Sequence, residues 1–299
     1  MSSKKWSSQN IPNQKDRIII ITGASSGLGK EATKVLAGKN ATVIMAVRDT
    51  HKAETVVKEI ISELPNAKVE IRNLDLNSLD SVKSFAKEFI SDYDQLDVLI
   101  NNAGVMMCPY SKTKDGFEIQ MGVNHLGHFA LTGLLMPLLI KTKNSRVVAT
   151  SSIAHKSGNI NFDDINWEKR KYKTIKAYSD SKLANLYFAY ELAKKHKEDP
   201  NYPFVTAAHP GYTYTDLQRH SNFWKILNPI FSQKVEKGVL PTLRAATDKS
   251  ANIGDFYGPE GFLELKGFPV LVLSNNLSHN KENAKRLWDI SEKLTGVKY

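Results

Sequence analysis

Hydrophobic residues form short, nearly unbroken runs along this chain, and the runs alternate with segments of helical periodicity. "RIIIIT" (17–22), "ATVIMAV" (41–47) and "LDVLINN" (96–102) are three such runs. Unbroken apolar runs rich in β-branched residues are typical of strands that are buried on both faces. Further runs of the same kind are "KVEIRNLDL", "SRVVATSS", "FVTAAHP" and "FPVLVLS".

The segments between these strands carry apolar residues three and four positions apart, which predicts helices. Examples are "GKEATKVLAGK", "KAETVVKEIISEL", "SVKSFAKEFI" and a long helix that ends near Lys141. Strands that alternate with helices form a parallel sheet that is covered on both sides. We therefore predict an α/β fold: a single doubly wound parallel sheet with helices on both faces, the Rossmann fold.

Length and composition favour one intracellular domain. The 299 residues contain no linker or repeat, so we predict a flexible tail over 1–15 and one domain over 16–299. The tail lacks the apolar core of a signal peptide, and the apolar segment 128–140 is too short to span a membrane. A single cysteine fits a reducing compartment, and we expect a cytoplasmic protein.

The net charge of +10 raises the possibility of a nucleic-acid partner. The basic residues, however, are scattered among acidic ones and form no stripe, so we predict no nucleic-acid binding. Peripheral contact with an anionic membrane surface stays open.

A glycine-rich turn lies between the first strand and the first helix. The sequence "TGASSGLGK" places Gly23, Gly27 and Gly29 there, so that backbone N–H groups and the helix N-terminus can approach a pyrophosphate. This position indicates a dinucleotide site. The spacing is neither G-x-G-x-x-G nor that of a P-loop.

Arg48, at the end of the second strand in "MAVRDT", predicts the identity of the cofactor. An arginine there can bind the 2′-phosphate of NADP(H), whereas NAD(H) usually meets an acidic residue. Asp49 could compensate Arg48 or accept a ribose hydroxyl, and Arg48 could also be a plain surface residue.

Six short motifs, in order, resemble those of the short-chain dehydrogenase/reductase family. They are "TGASSGLG" (22–29), "NNAG" (101–104), "VNHLGHF" (123–129), "VVATSS" (147–152), "YSDSK" (178–182) and "HPG" (209–211). The flanking sequence is most similar to the retinol-dehydrogenase-like branch. Many members of that branch have an N-terminal membrane anchor, which is not recognisable here.

The resemblance implies four catalytic residues. Tyr178 would exchange a proton with the substrate oxygen. Lys182, one helical turn on, and the cationic oxidised nicotinamide would together lower the pKa of the phenol, which is about 10 when free. Lys182 would also contact the nicotinamide ribose. Ser152, rather than Ser151, would hydrogen-bond the substrate oxygen, and Asn124, inside the long helix, would hold a water in the proton path.

The resemblance also implies a set of cofactor-binding residues. Asp75 would contact the adenine, although a role in a turn or helix cap is an alternative. Asn101, Ala103 and Gly104 of the "NNAG" motif would frame the cofactor's ribose, and a structural role of the motif in the sheet is an equal alternative. Together with Tyr178 and Lys182, the predicted set comprises Gly23, Ser25, Ser26, Gly27, Leu28, Gly29, Arg48, Asp75, Leu76, Asn102, Ala103, Gly104, Pro210, Gly211, Thr213 and Thr215.

The apolar segment "NFWKILNPIFSQ" (222–233) indicates a hydrophobic substrate. By resemblance we predict a substrate lid around 212–236; a core helix and a membrane contact are alternatives. Met106, Met107 and Tyr110 would complete the wall of the pocket. Cys108 would edge the pocket or be a buried structural thiol.

These features predict an NADP(H)-dependent oxidoreductase that interconverts a hydrophobic carbonyl and its alcohol, with a retinoid-like aldehyde as one candidate substrate. A carbon–carbon double-bond reductase and a non-catalytic nucleotide sensor on the same scaffold are the alternatives. We predict no metal site, because the histidines lack carboxylate or cysteine partners at ligand spacing. A monomer and a homodimer fit equally well.

Overall fold

The computed structural model describes residues 5–213 and 232–299. Within them, eight strands form one sheet in the order β3-β2-β1-β4-β5-β6-β7-β8. The strands are β1 Ile18–Thr22, β2 Thr42–Val47, β3 Lys68–Asn73, β4 Val98–Asn101, β5 Arg146–Thr150, β6 Phe204–Ala208, β7 Phe256–Pro259 and β8 Pro269–Leu271.

Helices connect the strands and cover both faces of the sheet. The described helices are α1 Gly27–Ala37, α2 Thr50–Glu63, α3 Leu79–Asp92, α4 Ile119–Met121, α5 Gly127–Lys141, α6 Thr174–Glu198, α7 Val235–Gly238, α8 Leu240–Thr247 and α9 Lys281–Thr295. A π-helical turn, Gly122–Leu126, joins α4 to α5. The predicted doubly wound Rossmann fold is confirmed.

Alternating side chains of each strand divide the interior into two cores. Ile20 of β1 packs with α3, α5, α6 and α9 on one face. Its neighbours Ile19 and Ile21 pack with α1, α2 and α8 on the other face. All three isoleucines are fully buried, because successive side chains of a strand point to opposite faces. This arrangement explains why β1 is a continuous apolar run.

The strand order reverses between β1 and β4, which are hydrogen-bonded neighbours. The chain winds outward from this pair in both directions, so the loops after β1 and β4 separate. A crevice therefore opens at the carboxyl ends of the strands, where doubly wound proteins bind their ligands.

One end of the sheet departs from the prediction. "FPVLVLS" contributes β8, but β8 is an antiparallel edge strand that pairs with β7, and the sequence pattern did not predict β7. The four residues of β7, "FYGP", include a glycine and a proline, which weaken the strand signal. The short connection from β7 to β8 suffices because antiparallel neighbours need no crossover helix.

Residues 5–15 are not the free tail that we predicted. Ile11 and Gln14 are 3% and 1% exposed, and the Gln14 N–H donates to the carbonyl of Lys39 at 2.7 Å. Trp6 packs against the core on the α1 face. Two apolar residues in a polar stretch give no periodicity, which is why their packing could not be predicted.

Across the described residues, one helical stretch, Ile119–Lys141, has the length and hydropathy that crossing a membrane requires. Its most apolar part is 83% buried within the fold. This burial is typical of the central helix of a doubly wound protein.

Candidate active site

A single cleft of about 1040 Å³ runs along the carboxyl ends of the strands. It is lined by residues that follow β1 to β6 and by residues of α6. Every predicted cofactor-binding residue within the described ranges lines it: Gly23, Ser25, Ser26, Gly27, Leu28, Gly29, Arg48, Asp75, Leu76, Asn102, Ala103, Gly104, Tyr178, Lys182, Pro210, Gly211 and Thr213. Residues 214–231, which include Thr215 and most of the predicted lid, lie outside the described residues.

The turn after β1 is packed so tightly that only glycine fits at two of its positions. Gly23 has φ +68°, and a Cβ there would lie 2.9 Å from the Cα of Ala103. A Cβ on Gly29 would lie 2.4 Å from the carbonyl oxygen of Gly23. Ser26, the N-cap of α1, makes no side-chain capping hydrogen bond, so the first turn of the helix keeps its N–H groups for an anion. These features fit a pyrophosphate.

The hydroxyl of Thr22 joins this turn to the "NNAG" loop after β4. Its Oγ1 accepts the N–H groups of Asn102 and Ala103, both at 2.9 Å. The ring of His128 donates from Nδ1 to the carbonyl of Asn124 at 3.0 Å, and its Nε2 accepts from Thr22 at 2.9 Å. Burial lowers the pKa of His128 to about 4, which keeps the ring neutral. The loop that frames the cleft is therefore fixed by side chains behind it.

Arg48 and Asp49 have separate positions at the end of β2. Arg48 is exposed at the mouth of the cleft. The Asp49 carboxylate accepts the N–H of Lys52 at 2.9 Å and caps α2. Lys52 also lines the cleft; its position in the first turn of α2 is a signal that the sequence analysis missed. The mouth thus carries two basic side chains beside a helix cap.

Asp75 has the turn role that was one of its two predicted roles. One carboxylate oxygen accepts the N–H of Asn77 at 3.1 Å, and the other lies 3.6 Å from the ammonium of Lys114. Asp75 and Leu76 also line the cleft, so a contact with an adenine remains open to them. Asn101 is buried, and its amide donates to Thr132 Oγ1 at 2.9 Å, which is a structural contact.

Tyr178 and Lys182 lie at the other end of the same cleft, one turn apart on α6. They are 5% and 3% exposed. The Lys182 Nζ lies 5.8 Å from the centre of the Tyr178 ring and donates to the carbonyl of Thr150 at 3.2 Å. The glycine turn and this pair therefore open on one continuous cavity.

Burial moves the pKa values of these two groups towards their neutral forms. It lowers the pKa of Lys182 to about 8. It raises the pKa of Tyr178 to about 12, while a hydrogen bond with Ser152 acts in the opposite direction. In the protein alone, desolvation therefore outweighs the hydrogen bond with Ser152. The lowered pKa that we expected for Tyr178 also requires the positive charge of the oxidised nicotinamide, and it stays a prediction for the complex with cofactor.

The two serines that follow β5 have different partners. The Ser151 hydroxyl is buried and donates to the carbonyl of Lys182 at 2.8 Å. The Ser152 hydroxyl accepts the N–H of Ala154 at 3.2 Å and contacts Tyr178. Ser152 is therefore the serine beside the phenol, in agreement with the choice made from the sequence.

Asn124 lies behind the cleft wall, inside the long helical stretch Ile119–Lys141 as we predicted, at its π-helical turn. Its Oδ1 accepts the N–H of Val105 at 2.8 Å. Its Nδ2 donates to the carbonyl of Val105 and to Ser181 Oγ, both at 2.9 Å. A Cβ on Gly104 would lie 3.1 Å from Asn124 Oδ1 and 3.5 Å from Lys182 Nζ. The Asn124 side chain therefore fixes the loop beside Lys182.

Apolar side chains line the end of the cleft that is next to Tyr178. Met106, Met107 and Cys108 are part of this wall. Tyr110 is not: it is 42% exposed, and its hydroxyl donates to the carbonyl of Asn166 at 3.2 Å. Tyr212, the first residue of the predicted lid, lines the cleft as well. The sequence analysis missed Ile119, Val123, Ile153, Ala154 and Leu265, which also line the cleft.

The buried histidines bond to protein groups. His125 Nε2 lies 2.8 Å from Ser291 Oγ, and His209 Nε2 lies 2.8 Å from a carboxylate oxygen of Glu264. His155 Nδ1 lies 2.7 Å from the carbonyl of Ser152. In residues 5–213 and 232–299, no group of three or more His, Cys, Asp or Glu side chains could hold a metal ion.

Comparison with known proteins agrees with this geometry. Residues 17–225 match the family described as short chain dehydrogenase. Retinol dehydrogenase 12 of Mus musculus is 40% identical over 289 residues, which are 95% of this chain and 87% of that protein. Retinol dehydrogenase 11 of Homo sapiens is 41% identical over 286 residues, which are 94% and 86% of the two chains.

Solved structures show the same similarity. An uncharacterised protein from Mycobacterium paratuberculosis is 40% identical, with a TM-score of 0.84 over 99% of both chains. A short chain dehydrogenase from Shigella flexneri 2a, solved in complex with NADP, is 28% identical. Its TM-score is 0.64 over 81% of this chain and 95% of its own.

Proposed function

This chain belongs to the short-chain dehydrogenase/reductase family and is an oxidoreductase similar to retinol dehydrogenases; on that premise we propose that it uses NADP(H) to interconvert a hydrophobic carbonyl and its alcohol. The observation that carries the proposal is one cavity with a glycine turn at one end and Tyr178, Lys182 and Ser152 at the other. A nucleotide that binds the turn and spans the cavity would reach the phenol.

The cofactor fits the residues that are present. The glycine turn and the N-terminus of α1 would hold its pyrophosphate, and the loop Asn102–Gly104 would frame its ribose, together with Lys182. Pro210, Gly211 and Thr213 would border the nicotinamide carboxamide. When bound, the cofactor supplies or accepts the hydride.

Tyr178 is the proton donor in the direction of reduction. Its pKa, raised by burial to about 12, keeps the phenol protonated at neutral pH and ready to donate to the carbonyl oxygen. Ser152 donates a hydrogen bond to the same oxygen as negative charge develops there. The ammonium of Lys182 stabilises the phenolate that Tyr178 leaves behind, and the reverse sequence serves alcohol oxidation. Asn124 acts on Lys182 indirectly, through the loop at Gly104, and a water beside it would complete the proton path.

NADP(H) is the proposed cofactor because the mouth of the cleft is basic. Arg48 and Lys52 line the cleft where a ribose 2′-phosphate would lie, and Asp49 is engaged in capping α2. An acidic residue that accepts the 2′-hydroxyl of NAD(H) would have to compete with that cap. The Shigella flexneri relative was solved with NADP, which supports the same choice.

A hydrophobic substrate fits the apolar wall. Methionine and aliphatic side chains line the cleft beside Tyr178, and no described lysine or arginine other than Lys52, Lys112, Lys182 and Arg48 lines it. The relatives named retinol dehydrogenase make retinaldehyde a natural first substrate to test.

The test is oxidation of NADPH against hydrophobic aldehydes and ketones, retinaldehyde included, with product identification by chromatography. Dissociation constants for NADPH and NADH are measured in parallel by fluorescence.

Alcohol products and tighter binding of NADPH support the proposal. Equal affinities would refute the NADP(H) preference. A product that retains its carbonyl and loses a double bond would identify an ene-reductase, and binding without turnover of any substrate class would point to a sensor.

A further inference from the structure

Met107, in the apolar wall, has a backbone conformation that side chains disfavour. Its φ is +51°, in the left-handed region where a Cβ is crowded by the backbone. Its N–H donates to the amide oxygen of Gln120 at 2.8 Å. Because Met106, Met107 and Cys108 all line the cleft, this hydrogen bond holds the wall at its most strained point.

Gln120 is fully buried in α4, and every polar atom of its side chain has a partner. The oxygen accepts from Met107. The nitrogen donates to Tyr172 Oη at 2.8 Å and to the carbonyl of Thr174 at 3.0 Å. Thr174 is the first residue of α6, one turn before Tyr178. The amide therefore connects the wall of the cleft to the start of the helix that carries the phenol.

Two further side chains, Tyr172 and Glu118, hold the amide in place. The Tyr172 hydroxyl accepts from Gln120 and donates to Glu118 Oε1 at 2.7 Å. Glu118, fully buried, accepts the N–H groups of Gln120 and Met121 at 2.9 and 2.7 Å and caps α4. The orientation of Gln120 is thus fixed on both sides, and rotation of its amide would break bonds at Met107, Tyr172 and Thr174 together.

From these contacts we infer that Gln120 is a specificity-determining positioning residue: it sets the distance between the apolar wall at Met107 and the proton donor Tyr178. Gln120 lies behind the wall, fully buried, and acts through Met107. Its loss lets the wall relax and misplaces large apolar substrates, which touch the wall over most of their length. Small substrates, which need only Tyr178 and Ser152, are less affected. This inference rests on the proposed function, in which a hydrophobic carbonyl occupies the cleft.

The first experiment replaces Gln120 by methionine, which has a similar volume and no amide. For Gln120→Met we expect kcat/KM for retinaldehyde to fall at least tenfold, mainly through KM. For acetaldehyde it should change less than threefold, with the dissociation constant of NADPH unchanged. Equal losses for both aldehydes would overturn the inference. Gln95→Met is the matched control: like that of Gln120, its amide donates to a backbone carbonyl, and its second acceptor is a carboxylate, at the opposite end of the strands.

A double-mutant cycle tests the step through Met107. Glycine adopts a positive φ freely, so Met107→Gly removes the strain that Gln120 supports. In the Met107→Gly background, Gln120→Met should then change KM for retinaldehyde less than threefold. An equal change of this KM in the wild-type and Met107→Gly backgrounds would show that Gln120 does not act through Met107.

A third measurement requires no turnover, so it separates failure of this inference from failure of the proposed function. Hydrogen exchange of the amides of residues 105–111, followed by mass spectrometry, should be at least tenfold faster in Gln120→Met than in the wild type. Tyr172→Phe keeps the ring contacts with Tyr110 and Trp167 and loses the hydroxyl, so it should give a smaller change in the same amides. Unchanged exchange in both variants would overturn the inference even in a protein that reduces no carbonyl.

Discussion

At the β1 end of the cleft, the groups available to a ligand are mainly backbone N–H groups of a turn that is packed too tightly at Gly23 and Gly29 for any side chain. At the β5 end they are the side chains of Ser152, Tyr178 and Lys182, of which the last two are nearly fully buried. The first end belongs to one continuous turn. The second end combines residues from a strand end and a helix that are 26 to 30 positions apart in the sequence.

This difference follows from what each end has to do. A pyrophosphate carries a fixed charge, and oriented N–H groups at a helix start bind it without any titration. Proton transfer requires a group that changes its charge, so its pKa must be set by its surroundings. Burial sets those values here, which is why the chemical end is enclosed while the Arg48 end is open to solvent. The two ends should therefore respond differently to substitution.

The largest effect is expected at the chemical end. Tyr178→Phe removes the transferable proton, and we expect kcat to fall roughly 100- to 10,000-fold, the usual contribution of a general acid. The dissociation constant of NADPH should stay within twofold, because the cofactor end is untouched. Steady-state kinetics and fluorescence titration measure the two quantities. Tyr110→Phe, at an exposed tyrosine, is the control, and a Tyr178→Phe protein that keeps a tenth of its turnover would contradict the assignment.

For Gly23→Ala, the binding of NADPH is expected to weaken, whereas Tyr178→Phe affects kcat. The new Cβ would lie 2.9 Å from Ala103 Cα, so the turn and the "NNAG" loop must separate. A shift on the order of 1 Å in binding groups costs roughly 100-fold, and we expect the dissociation constant of NADPH to rise by that factor. Fluorescence titration measures this dissociation constant, at a temperature at which thermal melting shows the variant to be folded.

Gly116→Ala is the matched control for this substitution. Gly116 also has a positive φ, +87°, but a Cβ there would meet nothing within 4 Å. It should lower stability by about 1 kcal/mol and leave NADPH binding unchanged. If both variants weaken binding equally, backbone strain rather than the close approach to Ala103 is the cause.

Arg48→Ala tests a side chain at the cofactor end of the cleft, where the other proposed contacts come mainly from backbone N–H groups. A charge-assisted hydrogen bond contributes about 1.5–3 kcal/mol, so the dissociation constant of NADPH should rise roughly tenfold or more. The value for NADH should barely change, because NADH has no 2′-phosphate. Lys58→Ala, at an exposed lysine of α2, is the control. An equal rise in the dissociation constants of NADPH and NADH would show that Arg48 does not bind the 2′-phosphate.

The smallest expected effect is a pH dependence that belongs to the chemical end alone. The phenol of Tyr178, with a pKa of about 12, stays protonated at neutral pH, whereas Lys182, with a pKa of about 8, loses its charge as the pH rises through 8. The nascent phenolate then loses its partner, and kcat for reduction should decline roughly two- to fivefold between pH 7 and 9.5.

Buffered kinetics at saturating NADPH measure this decline, and the dissociation constant of NADPH should vary less over the same range. Lys194→Ala, at an exposed lysine of the same helix, should leave the profile unchanged. A reduction rate that increases steadily from pH 7 to 9.5 would contradict the assignment of Lys182.

How well each feature could be predicted depends on how locally it is encoded. The glycine turn and the Tyr178–Lys182 pair lie within nine residues and one helical turn, so their spacing alone gives their geometry. The sheet followed from apolar runs that are buried on both faces. The strand β7 did not, because four residues with a glycine and a proline carry no pattern.

Long-range contacts and electrostatics were the parts that the sequence left open. Gln120 and Tyr172 are 52 positions apart, and a single polar residue in an apolar helix gives no sign of its partner. Leu265 reaches the cleft from a turn between β7 and β8. The raised pKa of Tyr178 depends on the depth of burial, which one sequence does not give.

The π-turn between α4 and α5 constrains how this chain can gain or lose residues. A deletion within Gly122–Leu126 that restores regular helix would turn α4 by about 100° relative to α5. Gln120 would then point away from Met107, although every residue of the cleft wall would still be present. Insertions and deletions in this stretch should therefore be far less tolerated than replacements of the side chains at 106–108. Natural or engineered changes of substrate range should accumulate as substitutions in the wall, with the length of the helix behind it held constant.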